Sequence, residues 1–260
     1  MEYLMICLAA FFTSFITLYS GFGLGTVLMP VLAVFFPVQA AVASTAVVHL
    51  ANNIFKVFLV GRHVNRQALL RFTAPAFFSA LIGASLLTYA SMLPVIASYQ
   101  LGGSVREITT VKLAIGTLIV FFALLELVPF FSSLSIDRKY LPLGGALSGF
   151  FGGLSGNQGA FRSMFLIKAG LSKEEFVGTN VVSAVIVDTG RLFVYGAGFY
   201  SASFAHASKM PLLITLATLS AFAGAFIGKR YLKKVTVGTI QNIVGATLLL
   251  LGFALAAGVI

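Results

Sequence analysis

Three short stretches hold most of the residues able to do chemistry. In GLSGNQGAFRSMF, residues 153–165, glycines surround two amides, Asn157 and Gln158, and one guanidinium, Arg162. In residues 41–61, Thr45, His49, Asn52 and Lys56 fall in one narrow stripe on a helix advancing ~100° per residue, with Asn53 on its flank. In residues 173–195, Thr179, Asn180, Ser183, Asp188 and Arg191 spread over a wider arc, because the step from threonine to acceptor is one residue longer. A π-bulge would absorb that extra residue. Amide N–H groups and cations are the donors that oxyanions accept from. Glycines such as Gly23, Gly25, Gly156 and Gly159 let a ligand approach the backbone, and N–H groups opening a half-helix form a locally positive end. Two such ends meeting with Arg162, Lys56 and Arg191 nearby would make an anion site. The candidate binding residues are therefore Asn157, Gln158 and Arg162; Gly23, Gly25, Gly156 and Gly159; Thr45, Asn52, Asn53 and Lys56; and Thr179, Asn180 and Arg191. His49 and Asp188 are candidate coupling groups.

Each residue also has a plainer reading. Glycines in apolar helices commonly serve close packing. Lys56 and Arg191 lie near helix ends, where they could snorkel to headgroups. Asp188 and Arg191, three apart, could simply neutralise one another. His49 could be an interhelical hydrogen-bonding residue rather than a proton carrier. Arg162 is harder to explain away, since it lies a turn or two beyond a helix break, where snorkelling is difficult.

The elements that carry these residues belong to a membrane protein. Only 9% of the 260 residues are charged and the mean hydropathy is +1.02, whereas a soluble domain needs about a quarter charged. Apolar runs such as Leu113 to Val128 and Ile243 to Ile260 approach the ~20 residues that cross a ~30 Å hydrocarbon core. They lack the ~10-residue alternation of an outer-membrane barrel. A net charge of +10 invites a nucleic-acid reading, but the cations sit mostly at the ends of apolar runs, which suits topology and lipid headgroups instead. The single cysteine, Cys7, excludes an internal disulfide framework or a zinc cluster. Glu2 replaces the basic start of a signal peptide, so the first helix is expected to be retained.

Spacing reveals a duplication, divided near residue 135 into repeats 1–135 and 136–260. Gly25 precedes Thr45 by the same interval that separates Gly159 from Thr179. Asn53, Lys56 and Gly61 match Asp188, Arg191 and Gly196. Ser79, Gly83 and Ala84 match Ser220, Gly224 and Ala225, and Lys112 with Gly116 matches Gln241 with Gly245. Each repeat predicts a glycine-broken first segment and three further helices, over 3–36, 40–60, 67–90 and 108–128, then 140–170, 173–195, 208–228 and 237–258. About 34 residues at ~1.5 Å each would reach ~51 Å, too long for one straight crossing. Gly21, Gly23 and Gly25 break the first segment; Gly152, Gly153, Gly156 and Gly159 break the second. A hairpin in each half puts Arg62, Arg66, Arg71, Arg138, Lys139, Lys168 and Lys173 on the cytoplasmic side with Lys229, Arg230, Lys233 and Lys234, leaving Arg106, Lys112 and Lys209 outside. Single kinked spans would reverse that bias, against the positive-inside rule. Hairpins are favoured, with the N-terminus outside and the two halves inverted.

GFGLGTVLMP (21–30) leading into AVASTAVVHLANNIFKVFLVG (41–61), and GALSGFFGGLSGNQGA (145–160) leading into GTNVVSAVIVDTGRLFVYG (178–196), resemble the TauE/SafE family of sulfite exporters, the TSUP permeases. The resemblance covers nearly the whole chain. The family's run of glycines is interrupted here as GFGLG and GNQG, and Met164 stands where a counterpart of Pro30 would fall. The resemblance implies a multi-pass inner-membrane permease of prokaryotic type, moving sulfite, sulfonates or related organosulfur oxyanions. Its partners are then a small anion and membrane lipids, with no nucleic acid and no cofactor. A passive anion channel, or a permease for another small anion such as a carboxylate, are the alternatives. With no Walker A, H-E-x-x-H or G-x-S-x-G pattern, an enzyme is not expected.

Overall fold

The computed structural model describes residues 1–20, 24–61, 63–128, 136–167, 169–199, 210–231 and 237–260. Gly21, Gly23, Arg62, Lys168, Lys209, Lys233, Lys234 and the division near 135 lie outside the described residues. Ten α-helices are described: α1 (Glu2–Ser20), α2 (Leu24–Ala33), α3 (Val38–Val60), α4 (Arg66–Ala90), α5 (Thr110–Leu127), α6 (Leu141–Ser155), α7 (Gly159–Leu166), α8 (Lys173–Phe199), α9 (Met210–Tyr231) and α10 (Val237–Ala256). Four of them, α3, α4, α8 and α9, are long and apolar enough to cross a membrane.

Polarity runs inside out. Phe58, Phe193 and Leu250 are 81%, 80% and 74% exposed, while His49, Lys56, Arg162, Asp188 and Arg191 are all buried. Water would punish that arrangement twice, whereas lipid favours it, since apolar side chains belong against acyl chains and ionic ones must hide in the bundle.

Helix starts follow local chemistry. Asn65 caps α4 by accepting from Ala68 N at 3.0 Å, and Thr109 caps α5 by accepting from Lys112 N at 3.1 Å. Ser172 and Glu175 form a reciprocal capping box on α8, at 3.1 and 2.9 Å. Pro142 opens α6, where its missing N–H costs nothing.

The second broken segment is a hairpin. Helix α6 ends at Gly156, whose φ of 82° is open to glycine and strained for other residues. The chain then reverses, so that Phe165 near the end of α7 packs on Gly144 near the start of α6, and Ile136 N donates to Met164 O at 3.5 Å. At ~1.5 Å per residue α6 spans only ~22 Å, short of a full crossing. In the first half, α1 and α2 lie against one another.

Two expectations need correction. Gly152 and Gly153 lie inside α6 rather than at the break. Gly145, Gly149 and Gly153 form a ridge whose members meet the carbonyls of Phe72, Ala76 and Ala80 on α4, so closely that any methyl group would collide. These pairs rise together, so the two helices run in the same direction. Also, α8 is α-helical from end to end, with no π-bulge to take up its extra residue.

A β-hairpin, absent from the all-α expectation, joins α4 to α5. Strands β1 (Val95–Leu101) and β2 (Ser104–Thr109) pair antiparallel around Gly102 and Gly103, with φ of 61° and 79°. Two positive φ values in a two-residue loop make a turn whose twist suits a hairpin. Tyr99 Oη donates to Ala257 O and Arg106 Nη1 to Val259 O, both at 2.7 Å, pinning the hairpin to the C-terminal end of α10.

The main helix contacts are α4 with α6, α1 with α9, α5 with α10, and α8 with both α3 and α4. Gly83 on α4 packs against the Phe150 carbonyl of α6, and Gly224 on α9 against the Phe11 carbonyl of α1. Gly116 and Gly245 both lie in the α5–α10 contact.

Candidate functional site

The stripe on α3 faces the middle of α8. His49 Nδ1 stands 2.6 Å from Asp188 Oδ2, both side chains being buried. Asn53 Nδ2 donates to the same oxygen at 3.4 Å. The other oxygen, Oδ1, accepts from Arg191 Nε at 2.9 Å and from Gln158 Nε2 at 2.9 Å. Arg191 Nη2 completes the ion pair at 2.8 Å, although not as a well-aligned hydrogen bond. Its Nη1 donates to Gly152 O at 3.1 Å. One carboxylate thus ties α3, α8 and the α6–α7 break together.

The second break is held in place from behind. Ser148 Oγ donates to Gln158 O at 2.9 Å, and Tyr195 Oη donates to Gly153 O. A methyl on Gly156 would lie 3.2 Å from Arg191 Nη1, so glycine here serves both the turn and the close approach of the guanidinium. The two breaks also meet. A methyl on Gly25 would lie 3.0 Å from Gly156 O and 3.5 Å from Thr45 Cγ2. Gly159 opens α7 and is buried. Gly23 lies outside the described residues.

Around this junction several buried polar atoms have no partner among the described residues. They include both side-chain atoms of Asn157, Nε and Nη1 of Arg162, Nδ2 of Asn52 and Oγ1 of Thr45. Asn52 Oδ1 is occupied, accepting from Ser14 Oγ at 3.1 Å. Asn180 Oδ1 and Ser183 Oγ, further along α8, are also open. Arg162 is 3% exposed and Asn157 2%. Each hydrogen bond missing at these buried atoms costs about 1–3 kcal/mol. Arg162 lies within electrostatic reach of Asp188, Arg191, His49 and Lys56. Two guanidinium groups, Arg162 and Arg191, therefore lie in the field of a single carboxylate, with Lys56 beside Arg162.

Lys56 and Arg191, 4% and 0% exposed, do not snorkel to the surface. Gln158, Asn53 and Arg191 are committed to Asp188, while Arg162 and Asn157 keep open valence. Thr179 is used differently from Thr45, its hydroxyl accepting from Asn65 N at 3.1 Å in the α3–α4 connection. Sequence reasoning passed over Ser14, Ser148 and Tyr195. Tyr195 carried a signal, since it extends the line of Asp188 and Arg191 at helical spacing. Ser148 and Ser14 carried none, their roles being set by long-range packing.

Among the described residues, no three His, Cys, Asp or Glu side chains gather as metal ligands. Outside the cluster, an apolar groove of about 320 Å³ lined by Leu69, Thr73, Phe77 and Ile186 carries no charged side chain.

A lipid-facing shell around a buried, cation-rich polar cluster at broken helices defines an integral membrane protein of the transporter type. The chain belongs to the sulfite exporter TauE/SafE family, whose family model matches residues 6–255. No curated protein and no solved structure matches it.

Proposed function

We propose that the protein is an inner-membrane permease that moves a small oxyanion, of the sulfite and sulfonate class, by alternating access around Arg162. The observation that carries this reading is the open valence of Arg162 and Asn157. Both are buried beside the meeting point of Gly25 and Gly156, while the neighbouring cation Arg191 is neutralised by Asp188. An oxyanion supplies the acceptors that these donors lack, and the starts of α2 and α7 add backbone N–H groups with the positive ends of two helix dipoles. Enclosure of Arg162 supports a carrier over an open channel, whose lining would be wet.

In this reading residues 1–135 and 136–260 are inverted repeats, with the N-terminus outside. Helix contacts support an exchange of the halves: α1 on α9 answers α6 on α4, and α3·α8 and α5·α10 each pair equivalent helices. Gly83 and Gly224 occupy corresponding contacts, as do Gly116 and Gly245. A cysteine placed near the N-terminus in a Cys7→Ser background is expected to label from outside. Labelling only from the cytoplasm would reverse the topology.

The functional test is radiolabelled sulfite flux in proteoliposomes. The wild type is expected to show saturable uptake accelerated by sulfite on the far side, and Arg162→Ala to lose it while remaining folded. Unchanged flux in the variant removes Arg162 from the site, and unitary currents in a planar bilayer replace the carrier with a channel.

A further inference from the structure

Asp188 and His49 are not needed to bind an anion, and a carboxylate in such a site opposes one. Anchoring Arg191 and Gln158 accounts for the acid, but leaves the histidine seated on it without a role. We propose that His49, seated on Asp188, carries a proton that crosses with the anion, making the protein a proton–anion symporter. The inference rests on the permease reading above.

The geometry assigns the atoms. With Nδ1 2.6 Å from an acceptor oxygen of Asp188, the ring places its N–H there, which leaves Nε2 as the basic nitrogen. Asn53 Nδ2 stands 3.3 Å from Nε2. The carboxylate is kept ionised by its donors, Arg191 Nε and Gln158 Nε2 on Oδ1 and the His49 and Asn53 side chains on Oδ2. Hydronium on one side gives its proton to Nε2 and leaves water behind. The resulting imidazolium is stabilised by Asp188, and on the other side the proton returns to water.

His49 is the side chain of this cluster whose ordinary titration falls near neutrality. The charged groups that face it are Asp188 and Arg191 from α8 and Arg162 from α7. Helix α2 carries no titratable residue, and the cations Lys229 and Arg230 of α9 are exposed in its last turn. Lys56 lies two turns along α3, near Arg162.

The sign of the coupling follows. Arg162 and Arg191 against Asp188 leave one net positive charge around His49 when the ring is neutral and two when it is protonated. Protonation favours the anion, and by reciprocity the anion favours protonation. The two ligands therefore occupy the carrier together and travel in the same direction. A single linked proton can raise apparent anion affinity by up to about tenfold per pH unit.

The test compares wild type with His49→Gln in proteoliposomes, using radiolabelled sulfite at one pair of internal and external pH values, so that sulfite's own titration cancels. An alkaline interior is expected to accelerate net uptake by the wild type several-fold. The acceleration should be lost in the variant, which still exchanges internal for external sulfite. Equal acceleration in both proteins overturns the proton site and leaves the permease standing. Folded variant protein without exchange also overturns it, because His49 would then contact the anion. Absence of exchange in the wild type overturns the permease reading itself. If glutamine at 49 prevents folding, His49→Asn takes its place in the same comparison, and gradient acceleration that survives there overturns the proposal.

Discussion

The two glycine breaks meet at Gly25 and Gly156, yet they are built for different work. On the first side the groups at the junction are neutral: the α2 backbone, the Thr45 hydroxyl and the Asn52 amide. On the second, a left-handed glycine, two amides and Arg162 crowd into a few residues, and Asp188 holds Gln158 and Arg191 in position. In the two-repeat reading proposed above, matching glycines with unmatched side chains are how one scaffold would specialise. A glycine stands on each side of the meeting point, and both guanidinium groups, Arg162 and Arg191, lie on the second side, with Lys56 the buried cation of the first. At the junction itself the first side then offers a wall of dipoles, with no guanidinium of its own.

Breaking the charge anchor should have the largest effect. Asp188→Ala leaves Arg191 buried without its counter-ion, and a loss of about 3–5 kcal/mol is expected, read as a fall in thermal stability in detergent. Arg162→Ala should behave oppositely. It removes a buried charge whose Nε and Nη1 have no partner among the described residues, so stability holds or rises while sulfite flux falls by about 100-fold, the worth of two charged hydrogen bonds lost. Equal destabilisation by the two variants would erase the distinction between anchored and open cations.

On the neutral side, Gly25→Ala pushes a methyl to 3.0 Å from Gly156 O. A cost of about 1–3 kcal/mol is expected, with flux falling because the breaks are wedged apart. Full activity in that variant would show that the breaks need not touch. Smallest is Ser148→Ala, which frees the Gln158 carbonyl at a cost of about 1 kcal/mol. Its thermal shift should be only a few degrees, without loss of saturable transport.

Much of the helical framework was legible, because hydrophobic length is the dominant signal in lipid. The span expected at 40–60 lies at Val38–Val60, and those at 67–90 and 237–258 lie at Arg66–Ala90 and Val237–Ala256. The stripe of Thr45, His49, Asn52 and Lys56 is buried as one face. What sequence could not separate were glycines with different duties. Gly153 packs on Ala80 and Gly156 turns the chain, and only the backbone angle tells them apart. The Gly102-Gly103 turn was written plainly, but it lies in a short polar stretch with weak alternation, so the interval between the spans expected at 67–90 and 108–128 was given no element. Nor could sequence show which donors would be spent on Asp188. That depends on α3, α8 and the α6–α7 break converging from distant parts of the chain.

The glycine ridge of α6 has one more property. Its members recur every fourth residue, and so do the residues they rest on, Phe72, Ala76 and Ala80, followed by Ala84. Sliding α6 forward by four residues, ~6 Å, would seat Gly145 on Ala76, Gly149 on Ala80 and Gly153 on Ala84. Every new seat on that row is alanine, but the same step would carry the Phe150 carbonyl from Gly83 onto the buried Leu87. Along its own axis this contact is therefore a keyed seat rather than a rail, and it fixes the height of the charged turn at Gly156 on its end.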